Sequence, residues 1–169
     1  MTGKRTSGKT PSSDSPLEIA VRLLASRARA RQEIRLALER KGFEGDAVDD
    51  TLVQLETLGY LSDERFARDR AEQLLRKGLA PEAIRFRLES HGVSGAVASH
   101  AIDAVSAELA FDAETSARKL LSARGYSARA LTEKERARAG RLLLSKGFDE
   151  ELVARVLPAS TLASEPEEG

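Results

Sequence analysis

A leucine is followed four residues later by glycine, and that glycine by an apolar residue, at six places in this chain of 169 residues. The six instances are Leu38/Gly42/Phe43, Leu55/Gly59/Tyr60, Leu74/Gly78/Leu79, Leu88/Gly92/Val93, Leu121/Gly125/Tyr126 and Leu143/Gly147/Phe148. Helices often end with a glycine in the left-handed conformation, after which an apolar residue packs back onto the last turn. Each instance, called a clasp below, predicts a helix end. Six such ends in so short a chain predict a series of short helices.

The composition favours an all-α protein. Tryptophan is absent and aromatic residues make up 4% of the chain, so the core must be built from leucine, alanine, isoleucine and valine. Those side chains suit close-packed helices better than a β-sandwich. The absence of cysteine excludes disulfides, thiol nucleophiles and cysteine-ligated metals, and fits a cytoplasmic location. No apolar run is long enough to cross a bilayer, so we expect no membrane association.

The first residues contain a formal match to a phosphate-binding loop. Gly3–Thr10 reads G-x-x-x-x-G-K-T, but only two residues precede it and Pro11 follows it. Such a loop needs a strand before it and a helix after it, so that backbone N–H groups point at the phosphates. We therefore reject a nucleotide site. Residues 1–15 are interpreted as a flexible basic tail and residues 159–169 as a flexible acidic one.

No residue pattern predicts catalysis. His91 and His100 have no acidic partner at metal-ligand spacing, and the serines lack a histidine base in a recognisable arrangement. His91 fits the C-terminus of a helix, where a cation is favoured. The sequence thus predicts no catalytic residue, no cofactor and no metal site, and a protein that is not an enzyme.

The clasps expose an internal repeat. Residues 34–43 match residues 84–93 at an offset of 50, and residues 141–148 repeat the pattern 55 residues further on. Each copy has a helical pattern before and after it, which gives three units of three helices. The predicted repeats span residues 16–60, 61–109 and 110–158. Stacked helical units of this period predict an elongated, curved array, an architecture more typical of binding proteins than of enzymes.

Charge is sorted by helix although the net charge is zero, from 27 basic and 27 acidic residues. Residues 26–41 hold six basic and two acidic residues, while residues 44–56 hold five acidic and none basic. Residues 118–146 hold nine basic and two acidic residues, and residues 149–169 one basic and six acidic. Charges that complement helix dipoles explain part of this pattern, but not basic residues near helix starts.

Those basic residues favour a polyanion or an acidic protein face as the partner. A merely solvated charged face is the alternative. We expect the acidic third helices to face away from the partner. The predicted partner-binding residues are Arg27, Arg29, Arg31, Arg35, Arg85, Arg87, Arg129, Lys134, Arg136, Arg138 and Arg141.

The centre of the chain resembles the signature of the RecX family of recombination regulators. The resemblance rests on residues 59–68, Gly-Tyr-Leu-Ser-Asp-Glu-Arg-Phe-Ala-Arg, and continues through Arg76-Lys-Gly78, Pro81, Ile84, Leu88 and Gly92. Residues 33–59 resemble the family's first repeat and residues 142–157 its last. The likeness therefore covers about residues 17–157.

The resemblance implies a non-enzymatic protein that binds the RecA recombinase on DNA and lies along the groove of its helical filament. It further implies restraint of ATP hydrolysis, strand exchange and co-protease activity, and hence modulation of recombination, DNA repair and the SOS response. We expect a monomer. Two rivals remain open: a basic helical module that binds single- or double-stranded DNA without the recombinase, and a scaffold for another acidic partner.

Overall fold

The computed structural model describes residues 14–126 and 130–158. These residues form nine α-helices, and no helix among them is long and apolar enough to cross a membrane. The helices are α1 (Pro16–Ser26), α2 (Arg31–Glu39), α3 (Asp46–Thr57), α4 (Asp63–Arg76), α5 (Pro81–Ser90), α6 (Gly95–Glu108), α7 (Ala113–Ala123), α8 (Glu133–Ser145) and α9 (Glu150–Val156). Below, repeat 1 is α1–α3, repeat 2 is α4–α6 and repeat 3 is α7–α9. The prediction of an all-α helical repeat protein is confirmed.

All six clasps form as the sequence predicts. Their glycines have φ values between +72° and +91°, in the left-handed region. In each clasp the N–H of the apolar residue donates to the carbonyl of the leucine, over 2.9 to 3.3 Å. The six leucines are at most 2% exposed. One detail differs: Tyr60 is 56% exposed, so this clasp closes through its backbone and leaves the ring in solvent.

Local capping explains where the helices begin. Thr132 and Glu135 form the predicted capping box of α8, and Ser15 forms another with Glu18 on α1. Pro81 lies in the first turn of α5, where its missing N–H costs nothing. Ala30 has no side chain to cap α2, so the Glu33 carboxylate accepts the N–H of Ala30 at 3.1 Å instead. His91 is the C-cap of α5, as predicted.

The chain divides into two compact units at Ser62. Unit 1 holds repeat 1, whose core brings together Ile34, Leu38, Leu52 and Leu55, all fully buried. Unit 2 holds repeats 2 and 3.

Repeats 2 and 3 are joined by backbone contacts inside unit 2. The N–H of Ala80, which precedes α5, donates to the carbonyl of Lys146 in the clasp of α8 at 2.9 Å. Gly147 lies so close to Ala83 that a Cβ at Gly147 would stand 2.5 Å from the Cβ of Ala83. Ala80 is also buried with the core of repeat 3. The clasp of α8 therefore serves as the joint between the two repeats.

Some predictions concern residues outside those described. The rejected phosphate loop at residues 3–10, most of the basic tail, the acidic tail and Arg129 all belong to this group.

Candidate partner-binding surfaces

The arginines before α2 interact within repeat 1. Arg27 forms an ion pair with Glu33, with 2.7 Å between Nη2 and Oε1, and this hydrogen-bonded carboxylate raises the pKa of Arg27. Arg29 donates from Nε to the carbonyl of Leu23 at 3.3 Å. Both side chains therefore help to hold the connection between α1 and α2.

The two predicted arginines of α2 contact the acidic helix α3. Arg31 pairs with Glu56, with 2.8 Å between Nε and Oε1, and Arg35 pairs with Asp49. In repeat 1 the carboxylates of the acidic third helix therefore meet the basic helix, and two arginines expected to face a partner are paired internally. Part of the charge sorting in the sequence is internal ion pairing.

The helical period explains these contacts. Ile34 and Leu38 are the buried residues of α2, and Arg31 lies three residues before Ile34 and seven before Leu38. Residues at those spacings share one helix face, so Arg31 and Arg35 lie at the edge of the buried stripe. From that edge their side chains reach α3.

On α5 the two predicted arginines differ. Arg85 lies 3.6 Å from Glu82, measured from Nη2 to Oε2, and its Nε is buried without a hydrogen-bond partner among the described residues. Arg87 is exposed in the last turn of α5 and forms no ion pair within the described part of the chain. Arg87 is therefore available to a partner at no cost to an internal contact.

Three exposed cations follow one side of α8 and form no ion pair with the residues described. They are Lys134, Arg138 and Arg141, which we call the α8 stripe. Their spacing of four and three residues places them on one face. The buried residues Ala139, Gly140 and Leu143 occupy the opposite face, because each residue turns the helix by about 100°.

The remaining cation of α8 has a different environment. Arg136 matches Arg31 in the repeat register, and its guanidinium donates to the carbonyl of Pro158 after α9. Gly140 matches Arg35, and a Cβ there would stand 3.6 Å from Leu157. Repeat 3 therefore keeps an arginine at the position of Arg31 but has none at the position of Arg35, which pairs with the third helix in repeat 1.

Sequence reasoning missed two exposed apolar side chains. Phe86 on α5 is 73% exposed and Leu36 on α2 is 43% exposed. Both occupy the same register position of the repeat, where α8 has Arg141. This shared position was the signal available in the sequence, because an apolar residue there falls outside the buried stripe of either helix.

Repeat 2 has a bidentate ion pair at its surface. Arg68 on α4 donates to both carboxylate oxygens of Glu108, at 2.9 and 2.7 Å. This contact raises the pKa of Arg68 and lowers the pKa of Glu108. Across residues 14–126 and 130–158, no group of three His, Cys, Asp or Glu residues is placed to hold a metal ion.

Two family models, each describing one domain, match the chain. The first is described as RecX, first three-helix domain, and matches residues 17–55. The second is described as RecX, second three-helix domain, and matches residues 62–102. These matches fall on repeats 1 and 2.

Curated relatives match over most of their length. The regulatory protein RecX of Chromohalobacter salexigens is 32% identical over 145 residues, which cover 84% of this chain and 90% of that protein. The regulatory protein RecX of Stenotrophomonas maltophilia strain K279a is 28% identical over 147 residues, covering 87% of this chain and 88% of that protein. The similarity thus extends through repeat 3.

Solved structures share the fold. The crystal structure of RecX from Lactobacillus salivarius superposes with a TM-score of 0.68 at 19% identity, covering 83% of this chain and 91% of that one. A second crystal structure, of a regulatory protein RecX, gives a TM-score of 0.66 at 17% identity, covering 83% of this chain and 69% of that one. At these identities the likeness supports the fold alone.

Proposed function

The chain belongs to the RecX family of regulatory proteins, and on that premise we propose that it binds the RecA recombinase on DNA and inhibits it. The activities inhibited are ATP hydrolysis, strand exchange and the co-protease function. Inhibition proceeds by binding rather than by catalysis. The protein thereby modulates recombination, DNA repair and the SOS response.

The α8 stripe is the observation that carries the residue-level proposal. Its three cations form no ion pair with a carboxylate among the described residues, and they lie on the face of α8 opposite the core of repeat 3. A cation in an internal ion pair must lose that contact before it can bind a partner, whereas an unpaired one loses only hydration. The α8 stripe therefore offers more net binding energy than the paired arginines of repeat 1.

Arg87 provides a further unpaired cation on α5. Arg31 and Arg35 contribute less to binding in this proposal, because Glu56 and Asp49 already neutralise them. The binding partner meets the α8 stripe with recombinase carboxylates or DNA phosphates.

Recombinase ATPase activity on single-stranded DNA tests the proposal. The wild-type protein should inhibit, and the triple reversal K134E/R138E/R141E should raise the concentration needed for half-inhibition about 100-fold at physiological salt, from roughly 1 kcal/mol per lost contact. A matched control is R40E/K41E/R124E, which reverses three exposed, unpaired cations outside α8. Equal inhibition by both variants would contradict the role of the α8 stripe, and no inhibition by the wild type would contradict the proposed function.

A second candidate function is DNA binding without the recombinase, and the α8 stripe favours this one too, since lysine and arginine bind phosphates. Fluorescence anisotropy with a labelled oligonucleotide tests it directly. Tight binding that weakens steeply with salt, and a slope reduced by K134E/R138E/R141E, would support this candidate. Weak binding to DNA alone, with strong inhibition of the filament, would favour the first.

A further inference from the structure

A seventh helix end has the clasp geometry without the clasp residues. After α6 the N–H of Phe111 donates to the carbonyl of Ser106 at 2.8 Å, as the apolar residue of a clasp donates to its leucine. Ala110 takes the glycine position, with φ of +47°. Ser106 therefore stands where every other clasp has leucine, and alanine stands where every other clasp has glycine.

Both replacements carry a cost to stability. The left-handed conformation costs an L-residue about 1–2 kcal/mol, and among the described residues Ala110 is the non-glycine residue that adopts positive φ. The hydroxyl of Ser106 is buried with no hydrogen-bond partner in the described part of the chain. Backbone strain of the kind that Ala110 shows is concentrated at functional sites.

A cleft of about 600 Å³ opens beside this helix end, inside unit 2. Its walls are the end of α4, the connection between α6 and α7, and the first turns of α7. The lining residues used below are Leu75, Lys77, Leu109, Phe111, Lys119 and Leu120. The volume lies within the range of ligand pockets.

The lining combines an apolar floor with a rim of three cations and one carboxylate, that of Asp112. The floor is formed by leucine side chains together with Phe111. Lys77 and Lys119 are exposed on the rim and have no ion pair within the described residues. Arg76, also on the rim, is held by Glu72 at 2.8 Å. The two lysines therefore provide unpaired positive charge next to apolar surface.

A phosphate ligand fits this cleft poorly. The start of α7 would be the natural place for an anion, but the carboxylate of Asp112 already accepts the N–H of Thr115 at 2.6 Å. This carboxylate already takes the place that a phosphate would occupy at the helix start. The apolar floor likewise offers a phosphate group no hydrogen-bond donor.

We propose that the cleft binds an acidic peptide segment of a partner protein, with a large apolar side chain on the floor and flanking carboxylates on Lys77 and Lys119. The charge of the rim and the apolar floor together select this chemistry. The cleft lies on α4, the connection between α6 and α7, and α7, whereas the α8 stripe lies elsewhere, so the proposal adds a second binding site. It does not depend on the proposed function.

Peptide binding to the full chain tests the proposal. The probe is a fluorescein-labelled, end-blocked octapeptide with a central Leu-Phe pair between three acidic residues on each side, and its matched control has Ser-Ser at the centre. Saturable binding in the micromolar range by anisotropy is expected for the first peptide, and at least tenfold weaker binding for the second. Backbone amide shifts should change at Phe111, Thr115 and Lys119.

Two variants locate the site. The reversal K77E/K119E should weaken peptide binding at least tenfold. T115W should weaken it too, because Thr115 is an exposed residue of the lining and a tryptophan there would cover the apolar floor. The control K41E/R124E reverses two exposed residues that also directly precede clasp glycines, and should bind as the wild type does. The proposal would be overturned if the first peptide did not bind saturably or if the Ser-Ser peptide bound equally well. It would also be overturned if K77E/K119E and its control lost the same amount of peptide affinity, or if the amide shifts changed only in α8.

Discussion

The basic second helices of repeats 1 and 3 have similar compositions and different structural roles. In α2, Arg31 and Arg35 form ion pairs with α3. In α8, the three cations of the stripe form none among the described residues. The difference arises from where each cation falls around its helix, at the edge of the buried stripe in α2 and opposite it in α8.

This comparison shows that a count of charges does not identify a binding surface. A cation beside the buried stripe is within reach of a neighbouring helix, and a carboxylate there turns it into part of the scaffold. A cation on the far side has no such neighbour. The repeat thus keeps one fold while its second helix forms internal ion pairs in repeat 1 and, in repeat 3, carries three cations with no ion pair among the described residues.

The largest effect on stability is expected where the two repeats are alike. Leu38 and Leu143 are both fully buried at equivalent clasp positions. Truncation of either one to alanine should lower the free energy of unfolding of its own unit by about 2–5 kcal/mol, because each leaves a cavity in a close-packed core. Amide hydrogen exchange, followed separately in the two units, measures both values. If the free energy of unfolding fell by less than about 1 kcal/mol in only one of the two repeats, the two leucines would not be equivalent in the core.

The clasp glycines of repeats 1 and 3 have different surroundings. A Cβ on Gly42 would meet nothing within 4 Å, whereas a Cβ on Gly147 would collide with Ala83. Gly42→Ala should therefore cost about 1–2 kcal/mol of backbone strain. Gly147→Ala should cost about 3 kcal/mol, because overpacking at the joint of repeats 2 and 3 is added.

Urea denaturation of the two glycine variants checks this difference. Equal losses would show that the loop of the α8 clasp moves away from Ala83 without cost. Both variants introduce backbone strain, but only Gly147→Ala also disturbs the contact between repeats 2 and 3. The difference between the two losses therefore measures the contribution of that contact.

Neutralising the cations should affect stability in one repeat only. R31Q/R35Q removes two ion pairs whose side chains are 26–55% exposed, so a loss of roughly 1 kcal/mol is expected after solvent screening. K134Q/R138Q removes no internal pair and should change stability by less than about 0.5 kcal/mol. Thermal unfolding at low and high salt measures both, and only the R31Q/R35Q effect should shrink with salt.

The helix ends could be predicted because their causes are local. A glycine in the left-handed region and a leucine four residues earlier are both visible in the sequence, and all six clasps form. The caps at Thr132 and Pro81 are equally local. The family could also be identified, because several spaced motifs occur in order.

Which of the candidate cations form internal ion pairs could not be predicted, because these contacts are tertiary. Residue counts treat Arg35 and Arg138 alike, and the contact with Asp49 depends on where α3 crosses α2. The cleft beside the end of α6 could not be predicted for a related reason. The glycine pattern marks six helix ends but not this seventh one, because Ala110 adopts the left-handed conformation there in place of glycine.

The smallest expected effect concerns pH and the first helices of the two repeats. Asp112 caps α7 and Ser15 caps α1. Hydrogen bonds from the side chain and backbone of Thr115 lower the pKa of Asp112. Because the folded pKa is the lower one, the carboxylate stabilises the fold above the unfolded pKa of about 3.9, and this contribution is lost as the pH falls through the folded value.

The amide signal of Thr115 should therefore move as Asp112 takes up a proton, with a midpoint below about 3.9. Asp112→Ser gives α7 the same capping residue as α1 and should remove this titration while keeping the helix start, since serine caps well. A titration from about pH 6 to about pH 2.5 by NMR measures both proteins. A midpoint at or above the ordinary value would mean that the cap does not favour the charged form, and the start of α7 would then be a better site for a phosphate than the Asp112 cap implies.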